Sequence, residues 1–160
     1  MPLIKPLQAA SELEGVLRHR PELLEKYRVF YQSFWQDGLV PRRVLELCRR
    51  RVAHIQGCAA ELAIVDPQVP LSEDEEQALA RGELAQFDAA ERAALAVAEL
   101  IPNGVHFLSD EQVQQVAAEL GPAGCVALLT ALSFIDVNCR FKLVLDTAVA
   151  ASAVDAGYIA

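Results

Sequence analysis

The chain has 160 residues, of which 53% are hydrophobic, and its 22 Asp and Glu residues outnumber its 14 Lys and Arg residues to give a net charge of −8. This length suits a single domain over residues 1–160. The negative charge repels phosphate backbones and anionic lipids, so we expect no nucleic acid partner and no membrane partner. The high apolar content predicts that part of the surface is covered in a homo-oligomer.

The cysteine pattern and the first residues of the sequence are the features that indicate a cellular compartment. No basic region followed by an apolar stretch and a small-residue cleavage site is found at the start, which is unlike a signal peptide. Cys48, Cys58, Cys125 and Cys139 are widely spaced and form no C-x-x-C pair, unlike a disulfide-stapled secreted domain or a zinc ribbon. We therefore expect a cytoplasmic protein with reduced thiols, no metal and no cofactor.

Helical periodicity runs through the chain, without the period-2 alternation that predicts strands. Pro21 is well placed as the first residue of a helix that Asp37-Gly38 ends, because glycine adopts the left-handed stop without steric cost. Pro41 begins a second helix, which runs to about Gln56. The pattern predicts an all-α fold of six to eight helices.

Later helix starts are marked by three capping boxes, Ser72 to Glu75, Asp88 to Glu91 and Ser109 to Gln112. They predict a short helix closed by Gly82, an alanine-rich helix to about Ile101 and a further helix to about Leu120. Gly121-Pro122 then separates a last helix, roughly 123–150. The apolar run 123–135 within it is shorter than the about 20 residues of a membrane span, and predicts a buried helix.

The stretch Arg51 to Glu61 contains the candidate site. A straight helix would separate Glu46 from Glu61 by about 22 Å, so the two share a site only if the chain bends. Gln56-Gly57 is the expected break, and Cys58 then lies in the first turn of a new helix, where free amides favour a thiolate. Glu61, one turn on, opposes that thiolate, because a nearby carboxylate raises the pKa of a thiol.

The order Glu46-Leu-Cys-Arg-Arg-Arg-Val, followed by Ile55-Gln-Gly-Cys58, resembles the alkylhydroperoxidase D-like branch of the carboxymuconolactone decarboxylase superfamily. The redox motif of that family is a glutamate, eleven residues and then C-x-x-C-x-x-x-H. The resemblance extends to the flanking segments and covers about residues 20–150. It implies the family's all-α fold, a homo-oligomer (dimer, trimer or hexamer) and a small-molecule ligand.

Under this resemblance Glu46 matches the motif glutamate and Cys58 the first cysteine, whereas Glu61 replaces the second cysteine and Val65 replaces the histidine. In redox-active relatives the second cysteine attacks the peroxide and the first resolves it as a disulfide. The glutamate and the histidine assist proton transfer. With two of these four groups replaced, the resemblance implies a divergent member of a peroxidase and antioxidant family whose disulfide cycling is weak or lost.

The remaining cysteines do not replace the missing one at the family's spacing. Cys48 lies ten residues before Cys58, across the expected break, and Cys125 and Cys139 are far away in the sequence. The sequence therefore predicts that peroxide does not produce a Cys58 disulfide.

The candidate catalytic residues, Glu46, His54, Cys58 and Glu61, also permit other functions. One alternative is an acid–base enzyme of the decarboxylase type acting on a small organic acid. An unbroken helix would instead place His54, Cys58 and Glu61 on one face, able to bind zinc. A third alternative is that the protein is a non-catalytic structural or regulatory oligomer.

In that non-catalytic reading each group has an ordinary structural role. Cys58 is a small core residue and His54 an interior histidine with a satisfied hydrogen bond. Glu46 pairs with Arg50, and a buried Glu61 pairs with Arg51 or with a neighbouring subunit.

Overall fold

The computed structural model describes residues 3–147, within which there are seven α-helices and no strand. The helices are α1 (Glu12–Leu17), α2 (Pro21–Gln36), α3 (Arg42–Gln56), α4 (Ala59–Leu62), α5 (Glu73–Arg81), α6 (Ala89–Asn103) and α7 (Asp110–Val144). Short 3-10 turns, Leu84–Gln86 and Val105–Phe107, precede α6 and α7. The predicted all-α fold of six to eight helices is confirmed.

The helix boundaries follow local signals in the sequence. Capping boxes with both reciprocal hydrogen bonds begin α5, α6 and α7 at Ser72, Asp88 and Ser109. Gly82 ends α5 in the left-handed conformation, as predicted. Helix α6 runs two residues beyond the predicted Ile101, to Asn103. Helix α1 was not predicted, although Ser11 caps it by accepting a hydrogen bond from the Glu14 amide.

Helix α7 is bent at Gly121-Pro122, where the sequence predicted a boundary between two helices. Gly121 has φ 74° and ψ 165°, values outside the helical range, and Pro122 follows it. The helix ends at Val144, and residues 148–150 of the predicted helix lie outside the described residues. By length and composition alone α7 is long and apolar enough to cross a membrane, a test that core helices of soluble proteins also pass. In this fold α7 packs against α2, α3 and α6.

The core lies where α3, α6 and α7 pack against one another. Its central side chains are fully buried and include Leu47, Leu95, Leu128 and Leu132. Helix α4 is a short continuation of the chain after α3 and also contacts α7. The carboxyl end of α3, the start of α4 and the final turns of α7 therefore meet, and the candidate residues are found at this junction.

Candidate functional site

The chain breaks after α3 at the predicted position. Gly57 ends α3 with φ 63° and ψ 29°, and the Cys58 amide returns to the Ala53 carbonyl oxygen at 2.9 Å. Cys58 is the N-cap residue of the four-residue α4, so it lies one position before the first turn in which it was expected. Because the helix is broken, the single face required by the zinc alternative does not exist. Within residues 3–147 no group of three or more His, Cys, Asp or Glu side chains is arranged to hold a metal ion.

A buried arginine joins the two candidate glutamates. Arg49 is 0% exposed and donates two hydrogen bonds to the Glu46 carboxylate, at 2.7 and 2.8 Å. It donates a third to Glu61 Oε1 at 2.9 Å and reaches the carbonyl oxygens of Glu61 and Ile64 at 2.7 Å each. Arg49 thereby connects α3 to α4, so the chain bend does bring Glu46 and Glu61 to one centre.

Helix α7 supplies the fourth charged group. Lys142 Nζ donates to Glu61 Oε2, and both side chains are buried. We call Glu46, Arg49, Glu61 and Lys142 the buried ion cluster. Its two carboxylates and two cations have a formal sum of zero, which is the condition under which buried charges are tolerated.

The sequence assigned other partners to these carboxylates. Glu46 pairs mainly with Arg49, while Arg50 is 3.9 Å away. Arg51, the expected partner of Glu61 within the chain, instead forms an ion pair with Glu99 at 2.7 Å. The i, i+4 pair of Glu46 with Arg50 is therefore present as the longer contact, whereas the pairing of Glu61 with Arg51 was wrong, because helical spacing does not reveal which side of α3 faces α4 and α7.

The cluster holds Glu61 in its charged form. Burial alone would raise the pKa of the Glu61 carboxyl, but Lys142 and then Arg49 outweigh burial and lower this pKa to about 2. Burial likewise opposes the charge of Arg49, but Glu46 and Glu61 raise the pKa of the guanidinium. Glu61 is therefore a permanent anion near neutral pH and is poorly suited to exchange protons with a substrate.

A second cysteine lies beside Cys58. The Cys58 thiol donates to the Cys139 carbonyl oxygen at 3.9 Å, and each of the two thiols shifts the pKa of the other. Cys139 is on α7, one turn before Lys142. No cysteine stands at the family's spacing from Cys58, but the packing of α7 against α4 brings together these two residues, which are 81 positions apart.

This neighbour changes the acidity of Cys58. The hydrogen bond from the Cys139 thiol is the largest effect, and it lowers the pKa of Cys58 to about 7 against the opposing effect of burial. The same bond and burial raise the pKa of Cys139. Glu61 does raise the pKa of Cys58, as predicted, but Lys142 acts in the opposite sense. The predicted opposing effect of the Glu61 carboxylate is therefore present, but Cys139 and the Glu61 backbone amide outweigh it.

A pocket of about 250 Å³ opens beside Cys58. Its walls are Gly57, Cys58, Ala59 and Ala60 on one side and Lys142, Leu143, Asp146 and Thr147 on the other. Cys58 is only 1% exposed, so its sulfur lies at the base of the pocket. Glu46, His54 and Glu61 do not line this pocket. The pocket therefore offers access to a thiol, with the carboxylates buried behind it.

Comparison with protein-family models and with curated proteins gives no match. Among solved structures, the chain is similar to the crystal structure of a cysteine-to-alanine variant of the debrominase Bmp8 in complex with 2,3,4-tribromopyrrole. The TM-score is 0.78 over 100% of this chain and 98% of that chain, at 13% sequence identity. The chain has the alkylhydroperoxidase D-like fold. The predicted fold is thus confirmed, and at this identity the likeness carries nothing further.

Within this alkylhydroperoxidase D-like fold, the charged neighbour of the His54 imidazole is Glu76 of α5, which is not one of the other candidates. Its Nε2 lies 3.8 Å from Glu76 Oε2, and burial lowers the pKa of the imidazole. In the described part of the chain, no hydrogen bond or ion pair links His54 to Cys58 or Glu61. His54 therefore belongs to the contact between α3 and α5.

Sequence reasoning missed three residues of the site, Arg49, Cys139 and Lys142. For Arg49 a local signal existed, since it follows Glu46 by three residues and can pair with it on one helix face. Cys139 and Lys142 are also three residues apart on one face of a helix, α7. Nothing in the sequence of α7 itself indicates that this face meets α4. Only the tertiary packing of the alkylhydroperoxidase D-like fold identifies them.

Proposed function

We propose that this protein is a divergent, cytoplasmic, thiol-dependent enzyme that reduces small hydroperoxides, with Cys58 as the attacking group. The observation that carries the proposal is the position of Cys58 at the base of a pocket, with a thiol whose pKa lies near 7. A thiolate is the nucleophilic form of cysteine, and about half of such a thiol is ionised at neutral pH. By contrast, burial raises the pKa of Cys48 and keeps that thiol inert.

The chemistry of the first step follows from this geometry. The Cys58 thiolate attacks the terminal oxygen of a hydroperoxide, the O–O bond breaks, and the alcohol leaves with a proton from solvent. Cys58 becomes a sulfenic acid. A pocket of about 250 Å³ is smaller than the about 300–1,000 Å³ usual for ligand sites, so we expect hydrogen peroxide and short alkyl hydroperoxides as substrates.

The two other function classes find less support in the geometry. An acid–base enzyme needs a titratable carboxyl facing its substrate, whereas Glu61 is fully paired and does not line the pocket. A purely structural oligomer would have no use for an acidic thiol beside a pocket. Because the structural neighbour binds 2,3,4-tribromopyrrole, that compound is the second substrate to test against Cys58.

Iodoacetamide should label Cys58 with a midpoint near pH 7, because only the thiolate reacts. At neutral pH, hydrogen peroxide should oxidise Cys58, and dimedone should trap the resulting sulfenic acid most fully in Cys139→Ser, which lacks the neighbouring thiol. Both reactions are measured by peptide mass spectrometry, and both should be lost in Cys58→Ser. Cys125→Ser, which alters another buried thiol, is the matched control and should behave as the native protein. A Cys58 labelling midpoint at pH 9 or above, or peroxide-resistant Cys58, contradicts the proposal.

We also propose that the protein is a homo-oligomer. An open apolar groove of about 460 Å³ between α2 and α7 is lined by Phe30, Leu129, Thr130, Ser133, Phe134 and Val137. Covering such a surface with a second copy would remove apolar area from water. Light scattering after size-exclusion chromatography should give a mass several times 17.4 kDa.

A variant pair tests the location of the oligomer interface. Val137→Asp, at a 40% exposed position in the groove, should lower the mass. Val65→Asp, at a 57% exposed position that does not line the groove, should leave it unchanged. A monomer at micromolar concentration contradicts the oligomer, and an unchanged mass for Val137→Asp contradicts this interface.

A further inference from the structure

Two cysteines from distant parts of the chain meet at the pocket. Cys58 precedes α4 and lines the pocket, whereas Cys139 lies behind it on α7 and is fully buried. The Cys58 thiol donates to the Cys139 carbonyl oxygen at 3.9 Å, which places the two residues side by side, and the two thiols influence each other's pKa. Because these residues are neighbours in the fold, side-chain rotation and an approach of the sulfurs to about 2 Å would form a disulfide.

The other two cysteines are placed elsewhere. Cys48 is fully buried among the core side chains around α3. Cys125 lies early in α7, with its Sγ 3.7 Å from the carbonyl oxygen of Val113. Neither lines the pocket or interacts with Cys58, so Cys139 is the thiol placed to react with it.

We infer that Cys58 and Cys139 form a redox pair, in which Cys139 resolves oxidised Cys58 as an intramolecular disulfide. This inference rests on the proposed reactivity of Cys58 towards hydroperoxides. The order of the two steps follows from access, because only Cys58 lines the pocket. The pair spans 81 positions, so it has no C-x-x-C signature.

The two steps balance without a further reactant. The Cys58 thiolate breaks the O–O bond of the hydroperoxide, becomes a sulfenic acid and releases an alcohol. The Cys139 sulfur then attacks the Cys58 sulfur, the S–O bond breaks, and the Cys139 proton leaves with the hydroxide as water. The two thiols together lose two electrons and two protons, and the hydroperoxide becomes alcohol and water. A dithiol reductant restores both thiols and itself becomes a disulfide.

Charged groups around the pair suit this sequence. The interaction with Cys58 is the main cause of the raised pKa of Cys139, ahead of burial, and oxidation of Cys58 removes its thiolate charge, so ionisation of Cys139 becomes easier when its attack is required. Lys142 lines the pocket and lowers the pKa of Cys58. Lys142 and Arg49 neutralise the negative charge of Glu61, so this carboxylate does not prevent the ionisation of Cys58.

The test treats the protein with hydrogen peroxide and maps its peptides without reduction. We expect a Cys58–Cys139 disulfide, reversed by dithiothreitol and visible as faster migration in a non-reducing gel. The double variant Cys48→Ala, Cys125→Ala should form it equally well, because it retains only the proposed pair. In Cys139→Ser, Cys58 should instead accumulate as sulfenic and sulfinic acid. The mapping of native protein remains decisive if a variant does not fold.

A parallel treatment with diamide, which joins thiols without a sulfenic acid, separates the two proposals. If peroxide oxidises Cys58 to sulfinic acid while Cys139 stays reduced, the redox pair is wrong and the peroxide reactivity stands. If only diamide links the two cysteines, the pair is supported and the proposed reaction with hydroperoxides is wrong. A disulfide to Cys48 or Cys125, or no disulfide with either reagent, overturns the pair.

Discussion

Replacing Arg49 with methionine is expected to lower the free energy of unfolding by about 3–5 kcal/mol, the cost of leaving buried charges without their partner. Arg49 is 0% exposed and neutralises Glu46 and part of the charge of Glu61 while filling two backbone acceptors. Since small domains are stable by about 5–15 kcal/mol, the loss is a large part of the total. Urea unfolding followed by circular dichroism measures it.

The matched control is Arg81→Met. Arg81 also pairs with a glutamate, Glu83, but its side chain is 59% exposed, and such surface pairs contribute about 0–1 kcal/mol. Equal losses in both variants would show that the buried ion cluster is not a special contributor. A variant in which Glu46, Arg49, Glu61 and Lys142 are all replaced by methionine should recover much of the loss, because no buried charge remains unpaired.

Replacing Glu61 with glutamine is expected to destabilise the protein by about 3 kcal/mol at pH 7 and by progressively less in acid. The pKa of the Glu61 carboxyl is about 2 in the folded protein and near 4.5 when the chain is unfolded. The unfolded chain therefore takes up the proton first. The stability contributed by this charge is complete above about pH 4.5 and is lost as the pH falls through the folded value.

Urea unfolding of native protein and Glu61→Gln at pH 7, 4.5 and 3 measures this effect. The difference in unfolding free energy should be constant between pH 7 and about 5.5 and should narrow towards pH 3. Glu83→Gln, at a 61% exposed side chain, is the matched control and should differ little from native protein at any pH. A difference for Glu61→Gln that does not change with pH would mean that its carboxylate is not the group linked to folding.

The buried ion cluster and the thiol pair are physically linked through α7. Lys142 holds Glu61 and also forms part of the pocket wall next to Cys58, three residues after Cys139. Anchoring Glu61 of α4 to this turn of α7 keeps the Cys58 segment against Cys139. The carboxylate at position 61 therefore supports the proposed thiol chemistry instead of removing it.

Much of the fold was predictable from the sequence because helix starts and stops are local. The three capping boxes, the left-handed Gly82 and the break at Gly57 involve residues at most five positions apart. The hydrogen bonds of these motifs do not depend on what the helix packs against, so each motif can be predicted from its local sequence alone. The same locality explains why Cys58 was found and its position was wrong by only one residue.

The partners of Glu61 and Cys58 were decided only by the tertiary structure. The sequence indicated that both residues follow the break, but Arg49, Cys139 and Lys142 reach them because α4 is enclosed between α3 and α7. A side chain's pKa and reactivity depend on the charges and thiols within a few ångströms, and these come from positions up to 81 apart. The sequence alone determined the helices and a cysteine at their break. Packing, which brings distant groups into low-dielectric contact, decided that the carboxylate is neutralised and that the thiol has a neighbour.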